Sequence, residues 1–290
     1  MRVRRFGDAA GFMAAAGAFL LREEALNNLP LGILSTFRTN PGHYPDPYFL
    51  AVEDGEAVVA AAIRTPPHNL ILTETARPDA LPWIADHAAS TFGTLPGVIG
   101  PDHLTERFMA LWQERTGQKG RVAVRERIYE LTRVTWPKAP PGRLRRAEGA
   151  DRSLLVNWFT AFHGETNTGM GPAETAARKG VERHLGDDTA GLWLWQDEEP
   201  VSLVGSAGPT GSGIRVGPVY TLPERRGRGY ASWLTAAVSQ LRLDEGYQRV
   251  FLFTDLANPT SNKIYQAIGY RPVGDAAQCQ FSDPELKVTP

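Results

Sequence analysis

Hydrophobic positions along the chain follow two periods, and each period predicts one kind of element. Two apolar segments, each interrupted by a short polar turn, predict β-hairpins at residues 48–65 and 191–208. Further strands are predicted at residues 97–100, 121–134, 214–222, 249–255 and 270–281, with a short strand within residues 142–151. Helices are predicted at residues 8–27, 81–91, 103–113, 153–165 and 173–185, from the end of a glycine-rich segment to Leu243, and from near Asn258.

The order of these elements is repeated, which indicates two similar halves. A proline-rich stretch, residues 135–143 (TWPKAPPGR), lies between the halves and suits a linker, because proline cannot donate to a strand ladder. Helices and strands alternate on both sides of it. We therefore predict two mixed α/β domains, each with a central sheet, at residues 1–137 and 141–290.

Charge and composition exclude several classes of protein. The 290 residues carry 31 Lys and Arg against 32 Asp and Glu, so the surface as a whole does not suit nucleic acid, although a local basic patch stays possible. No stretch reaches the roughly eighteen apolar residues of a membrane span, and the N-terminal segment fits an amphipathic helix better than a signal peptide. We expect a soluble protein that binds neither nucleic acid nor membrane, and leave its oligomeric state open.

Cysteine and histidine content predicts neither a disulfide nor a metal site. A single cysteine, Cys279, excludes an intramolecular disulfide and fits a reducing cytoplasm, so we expect a cytoplasmic location. The six histidines are scattered without the spacing of metal ligands, so no metal site is predicted.

Residues 223–234, PERRGRGYASWL, combine three arginines and two glycines between a predicted strand and a predicted helix. A helix N-terminus presents unpaired backbone N–H groups and the positive end of the helix dipole, which together favour a phosphate. Gly227 and Gly229 let the backbone bend and approach a ligand closely, while Arg226 and Arg228 add positive charge. This stretch therefore predicts a cradle for a phosphate group.

Other interpretations compete with the cradle. A P-loop requires a Lys-Ser/Thr pair after the glycines, and a dinucleotide fingerprint requires a third glycine; the stretch has neither. A solvated basic turn explains the arginines without any ligand. RNA binding is less favoured, because no aromatic platform or wider basic stretch accompanies the arginines.

A second segment, residues 258–270 (NPTSNKIYQAIGY), opens a later helix. Together the two segments resemble the GNAT superfamily of acetyl-CoA-dependent N-acetyltransferases, and the resemblance covers residues 143–282. Its Arg/Gln-x-x-Gly-x-Gly/Ala pattern is matched by Arg226, Gly229 and Ala231. Its second pattern, Asn-x-x-Ala/Ser-x-x-x-Tyr with a following Gly and aromatic residue, is matched by Asn258, Ser261, Tyr265, Gly269 and Tyr270.

The resemblance implies two tandem GNAT-like domains, each a mostly antiparallel mixed sheet flanked by helices. Acetyl-CoA would be the acyl donor and an amine the acceptor. The strand at Val219–Thr221 would diverge from its neighbour and pair with the pantetheine amides through its backbone. Asn258 would bind the pantetheine arm. The residues expected to bind the cofactor are Val219, Tyr220, Thr221, Arg226, Gly227, Arg228, Gly229, Tyr230, Ala231, Asn258 and Ser261.

The resemblance also implies a catalytic acid, Tyr265, which would protonate the departing thiolate; a half-buried aromatic residue of a helix is the alternative role. The amine would attack the thioester directly, and Cys279, outside both motifs, is expected to pack as a small apolar residue. Glu165, in the loop FHGETNTG, is the candidate base. Asp255 is a second candidate, and a surface carboxylate and a helix cap are the alternative roles of the two acids.

The first half carries neither motif, and we expect it to be a degenerate GNAT-like domain. Its aromatic segment at residues 41–49 would cover the acceptor cleft or form a surface loop.

The second half is expected to be an acetyltransferase; the alternative is a non-catalytic acyl-CoA sensor or scaffold of the same fold. Asn258 and Tyr265 favour the enzyme. The acceptor stays open among aminoglycosides, polyamines, amino acids, peptide N-termini and protein lysines.

Overall fold

The structure is a computed structural model that describes residues 1–166 and 173–282. Its helices are α1 (Ala9–Arg22), α2 (Asn28–Thr39), α3 (Leu81–Phe92), α4 (Asp102–Thr116), α5 (Arg152–Thr166), α6 (Ala173–Gly186), α7 (Tyr230–Asp244) and α8 (Pro259–Ile268). Its strands are β1 (Arg2–Phe6), β2 (Tyr48–Asp54), β3 (Ala57–Arg64), β4 (Leu70–Leu72), β5 (Gly97–Pro101), β6 (Lys119–Leu131), β7 (Arg143–Arg146), β8 (Gly191–Asp197), β9 (Glu199–Pro209), β10 (Gly213–Thr221), β11 (Arg249–Asp255) and β12 (Arg271–Ser282). Parallel and antiparallel strand pairs occur together, which confirms the predicted mixed α/β class.

Most predicted elements are present, including both hairpins, which are β2–β3 and β8–β9. The sequence pattern missed β1, β4 and α2. The helix predicted at residues 8–27 ends at Arg22, and α2 begins at Asn28. The pattern missed α2 because Pro30 and Gly32 lower its helix propensity. Pro30 is tolerated because it lies in the first turn, where a backbone N–H has no partner within the helix.

The chain forms two compact units. Among the described residues, the first unit comprises residues 1–128, 254–257 and 273–282, and the second comprises residues 129–253 and 258–272. The last strand of the chain is therefore largely part of the first unit. This grouping differs from a simple division at the proline-rich stretch. The separate role predicted for each half stays a prediction.

In the first unit the strand order is β1-β2-β3-β4-β5-β12. β4 runs parallel to β5, and β12 pairs antiparallel with β5. Successive residues of a strand point to opposite faces of a sheet. Tyr48 packs in one cluster with Trp112 of α4, and Phe49 packs in another with Phe12 of α1. Helices therefore cover both faces of this sheet.

In the second unit the strand order is β11-β10-β9-β8-β7. β10 runs parallel to β11, while the β10–β9, β9–β8 and β8–β7 pairs are antiparallel. Trp193 of β8 packs in one cluster with Leu234 of α7, and the next residue, Leu194, packs in another with Phe159 of α5. This sheet is thus also covered on both faces, with α7 following directly from the end of β10.

Candidate functional site

β10 and β11 separate partway along β10. Their parallel pairing joins Gly213–Arg215 to Arg249–Phe251 and ends there, although β10 continues to Thr221. On its other side β10 stays paired with β9 as far as Thr221, through a bulge. Among the described residues, the β11 side of Val219–Thr221 therefore has no partner strand. This is the divergence that the sequence resemblance implies.

A glycine-containing loop joins β10 to α7. Gly227 and Gly229 have φ angles of 76° and 86°, in the left-handed region that favours glycine. Gly229 is the N-cap of α7, and no side chain accepts a hydrogen bond there. A Cβ placed on either glycine would meet no atom within 4 Å, so both border open space. The start of α7 thus combines uncapped N–H groups with room for an anion.

The Arg226 guanidinium lies 5.8 Å from the centroid of the Tyr220 ring and forms hydrogen bonds with two other residues. Its Nε donates to the Thr221 carbonyl oxygen at 3.0 Å, and its Nη2 donates to both carboxylate oxygens of Glu165 at 2.8 Å. The Arg226 and Glu165 side chains are 46% and 45% exposed. The first bond fixes the loop against the end of β10. The second means that a phosphate at Arg226 has to compete with a carboxylate of the protein itself.

The side chains that follow Arg226 have less direct roles in binding a ligand. Arg228 is exposed, and Ala231 is half-buried. Tyr230 is buried, and its hydroxyl donates to Asp197, which raises the pKa of that hydroxyl. Tyr230 therefore holds the first turn of α7 to the β8–β9 turn, and its backbone N–H is the group it can offer a ligand.

The second motif forms the start of α8. Asn258 is the N-cap of this helix, and its Oδ1 accepts a hydrogen bond from the backbone N–H of Ser261 at 3.0 Å. Its backbone carbonyl oxygen accepts from the side chain of Asn262 at 2.8 Å. Asn258 is exposed and Ser261 is half-buried. The motif thus has a local structural role as well as the ligand role that the resemblance implies.

Tyr265 lies one turn beyond Ser261 on α8 and is 7% exposed. Burial raises the pKa of its hydroxyl to about 12, and a hydrogen bond with Ser261 opposes the shift. The hydroxyl consequently stays protonated at neutral pH and can donate a hydrogen bond.

Tyr129 of β6 is a partner of this motif that no sequence pattern indicated. Its ring lies 6.4 Å from that of Tyr265, measured between centroids. Its hydroxyl donates to Asn262 Oδ1 at 3.0 Å and accepts from Gln266 Nε2 at 2.9 Å. Tyr129 precedes Asn262 by 133 positions, so no local pattern could reveal the pair. These contacts fix the rotation of α8 and thereby the position of Tyr265.

Glu165 and Asp255, the candidate proton acceptors, lie in different local structures. Glu165 lies in the last turn of α5 and not in a loop, because the helix continues through Gly164, a residue that often marks a helix end. The remainder of the predicted loop, residues 167–169, lies outside the described residues. Asp255 accepts a hydrogen bond from the backbone N–H of Ala257 at 2.8 Å, as in an Asx-turn, and the N-cap of α8 is Asn258.

Cys279 is fully buried in the core of the first unit, and burial raises the pKa of its thiol to about 11. A thiol that stays protonated is a poor nucleophile, so the packing role expected of Cys279 fits its surroundings. Within residues 1–166 and 173–282, no group of three or more His, Cys, Asp or Glu side chains could hold a metal ion. No helix of that same part is both long and apolar enough to cross a bilayer.

A known protein family matches part of the second half of the sequence. Residues 200–279 match the family described as FR47-like protein. The matched segment runs from β9 to β12 and includes the glycine loop, α7 and α8. No sequence among the curated proteins matches the chain.

Three solved structures share the fold at low sequence identity. A Drosophila protein has a TM-score of 0.67 and 14% identity, covering 98% of this chain and 99% of that one. A tandem GNAT protein from the clavulanic acid biosynthesis pathway, in a structure without AcCoA, has a TM-score of 0.59 and 13% identity, covering 98% and 99%. A GCN5-related N-acetyltransferase from Kribbella flavida has a TM-score of 0.57 and 15% identity, covering 81% and 90%. At such identities the likeness shows the fold alone.

Proposed function

We propose that this chain, which has the fold of tandem GNAT proteins, moves an acetyl group from acetyl-CoA to an amine at a site in its second unit. The junction between β10 and α7 carries the proposal. It combines two left-handed glycines at an uncapped helix start with a strand edge that has no partner strand. Such a junction suits a ligand with an anionic group next to amide groups. Acetyl-CoA has both, in its pyrophosphate and its pantetheine arm.

The proposed ligand contacts are mostly made by the backbone. The pyrophosphate would meet N–H groups of the glycine loop and of the first turn of α7, including those of Tyr230 and Ala231. Arg226 would add positive charge. The pantetheine amides would pair with the free edge of Val219–Thr221, and Asn258 would contact the arm from the start of α8.

The proposed reaction is direct acyl transfer. The amine nitrogen attacks the thioester carbonyl carbon, a C–N bond forms and the C–S bond breaks. Coenzyme A leaves as a thiolate that takes up a proton, and the attacking nitrogen loses one. Backbone N–H groups at the diverging strand would stabilise the negative charge that develops on the carbonyl oxygen.

Tyr265 is the proposed proton donor to the thiolate. A thiol in water has a pKa of about 8.5, so complete transfer to its thiolate from Tyr265, whose pKa burial raises to about 12, would be unfavourable. Burial raises the pKa of a thiol as well, which narrows the difference between the pKa values of the thiol and of Tyr265. The contribution of Tyr265 is therefore a hydrogen bond to the developing anion, followed by proton transfer as the thiolate forms in a dry site.

Glu165 is the proposed base, and its bond to Arg226 makes that role conditional. A carboxylate whose two oxygens both accept from a guanidinium is not free to accept a proton from an ammonium. If the pyrophosphate takes over Arg226, the carboxylate is released. The role of Glu165 as a base therefore requires the cofactor to bind before the amine gives up its proton.

A test of the function uses the full chain with acetyl-CoA and a panel of amines from the five acceptor classes. We expect free coenzyme A to be released together with an acetylated amine identified by its mass. Binding of acetyl-CoA without turnover on any acceptor would favour the sensor or scaffold instead. Absence of acetyl-CoA binding would contradict both.

A further inference from the structure

The proline-rich stretch between the halves carries an aromatic surface that the proposed function does not yet use. Trp136 is 50% exposed, the largest exposure among the large hydrophobic residues of the described chain. Its ring lies 5.3 Å from that of Trp233, and Trp233 lies 4.8 Å from the buried Trp195, measured between centroids. The Trp195 Nε1–H donates to the Pro141 carbonyl oxygen at 2.8 Å. The stretch is thus fixed near both of its ends by contacts within the second unit.

The position of Trp233 relates this surface to the glycine loop. The Trp233 N–H donates to the Gly229 carbonyl oxygen at 3.0 Å, which closes the first turn of α7. One turn of helix rises about 5.4 Å. Trp233 therefore lies about one turn from the N-cap of α7, where the proposed function puts the pyrophosphate of acetyl-CoA, and the Trp136 ring lies 5.3 Å from the Trp233 ring.

The proline-rich stretch and the four residues on either side of it carry positive charge only. Residues 131–147 contain five basic residues and no acidic residue. Arg133 and Lys138, on either side of Trp136 in the chain, are exposed, and within the described residues neither side chain forms an ion pair. An exposed aromatic ring with unpaired cations two and three positions away in the chain suits a purine ring that carries phosphate groups.

On the basis of the proposed function, we propose that Trp136, supported from behind by Trp233, is the stacking surface for the adenine ring of acetyl-CoA, with Arg133 and Lys138 attracting its 3′-phosphate. In coenzyme A only a ribose separates the adenine from the pyrophosphate, so a ring next to the first turn of α7 is within its reach. The stretch that links the halves is then part of the binding site.

RNA is the competing ligand for such a surface, and two observations disfavour it. The net charge of the chain is only −1, and the aromatic surface ends with one exposed ring, which provides room for a single base. Single-stranded nucleic acid is usually held by several aromatic residues along a continuous basic groove.

The test compares two ligands on three proteins. The ligands are acetyl-CoA and acetyl-4′-phosphopantetheine, which lacks 3′-phospho-AMP and keeps one phosphate of the pyrophosphate; the proteins are the wild type, Trp136→Ala and Trp83→Ala. Trp83, in α3 of the first unit, is 42% exposed and serves as the matched control. We expect Trp136→Ala to bind acetyl-CoA about fivefold or more weakly, because stacking on a base contributes at least this much. Its affinity for the shorter ligand should not change, and Trp83→Ala should bind both ligands normally.

Two further measurements complete the test. Trp136→Phe, which retains a ring, should lose less affinity than Trp136→Ala if stacking is the cause. The double variant Arg133→Gln, Lys138→Gln should lose affinity for acetyl-CoA but not for acetyl-dephospho-CoA, which lacks the 3′-phosphate.

Each adverse outcome overturns a different statement. Equal affinity of Trp136→Ala and wild type for acetyl-CoA would overturn the adenine surface alone. An equal loss for both ligands would also overturn it, since the tryptophan would then act through the fold of the loop. Displacement of acetyl-CoA by a single-stranded oligouridylate, which has no adenine, would assign the surface to RNA. Failure of the wild type to bind acetyl-CoA would overturn the proposed function together with this inference.

Discussion

Each unit contains a parallel strand pair whose two strands are joined through a helix, and the junctions before the two helices differ in their chemistry. In the second unit β10 leads through two left-handed glycines into α7. In the first unit β4 leads through Arg77 and a 3-10 turn into α3. The arrangement of strands is alike, since β4–β5 and β10–β11 are both parallel. The residues of the connecting segments decide whether an anion can bind.

In the first unit the junction leaves little for an anion. Pro78 and Pro82 lack backbone N–H groups, and Ala80 and Leu81, between them, are buried. Arg77 is bound by Asp54 at 3.0 Å and Asp79 at 2.9 Å, so its charge is already compensated. The start of α3 therefore offers few backbone N–H groups to a ligand, and the charge of the nearest arginine is already compensated.

A backbone group near the same junction is also occupied. The N–H of Glu74, two residues beyond β4, donates to Asn27 Oδ1 at 2.8 Å. In the second unit the corresponding side of Val219–Thr221 has no partner strand among the described residues. The comparison teaches that the fold alone does not make the site: it requires glycines at the helix start and a free strand edge.

The largest effect is expected from breaking the glycine loop. Gly229→Val places a β-branched residue at a φ of 86° and should displace the N–H groups of the loop. Loss of two charge-assisted hydrogen bonds would weaken acetyl-CoA binding by about a hundredfold or more. Titration calorimetry measures the change.

Gly246→Val is the control for Gly229→Val. Gly246 has a φ of 101° and borders open space, as Gly229 does, but it follows the other end of α7. Both substitutions should lower the melting temperature by similar amounts, and only Gly229→Val should lose acetyl-CoA. Equal losses of affinity would show that backbone strain, and not the anion site, is responsible.

Much of this site could be predicted from the sequence because its parts are local. The spacing of Arg226, Gly229 and Asn258 within short segments indicated a strand, a turn and a helix start. The predicted strands and helices around them are present. The ends of elements were less well defined, since Glu165 falls both in the helix predicted at residues 153–165 and in the predicted loop, and it lies within α5.

The features of the site that the sequence did not predict depend on contacts between distant parts of the chain. Tyr129 supports α8 from β6, and β12 joins the sheet of the first unit. Arg226 is bound by Glu165, 61 positions earlier. Hydrophobic periodicity describes which face of an element is buried, but not which partner covers it. A single sequence therefore does not show such pairs.

A smaller effect is expected from Tyr265→Phe. The ring is retained, so packing against Tyr129 and affinity for acetyl-CoA should hardly change. The single-turnover rate of acetyl transfer should fall about tenfold, which corresponds to about 1.4 kcal/mol of transition-state stabilisation. A wild-type rate in this variant would leave water or the backbone as the source of the proton.

A still smaller effect, of opposite sign, is expected from Glu165→Gln. Removal of the carboxylate that competes for Arg226 should strengthen acetyl-CoA binding about two- to fivefold, since exposed ion pairs contribute about 0.2–1 kcal/mol. Glu199→Gln is the control, because Glu199 pairs with the neighbouring Arg225 at 2.7 Å. If Glu165 is also the base, the transfer rate falls in Glu165→Gln at saturating acetyl-CoA and not in the control. An unchanged rate would remove Glu165 from catalysis.

The smallest effect concerns the first unit. Arg77→Ala removes the arginine that occupies the junction before α3, and acetyl-CoA affinity should stay at the wild-type value. A loss of affinity as large as that expected for Gly229→Val would mean that the first junction takes part in binding.

The most direct test of one working site per chain is the stoichiometry of acetyl-CoA binding, measured by titration calorimetry on the wild type and on Gly229→Val. The account predicts one acetyl-CoA per wild-type chain and none for the variant at the same concentrations. Two molecules per chain, or one that persists in Gly229→Val, would contradict it.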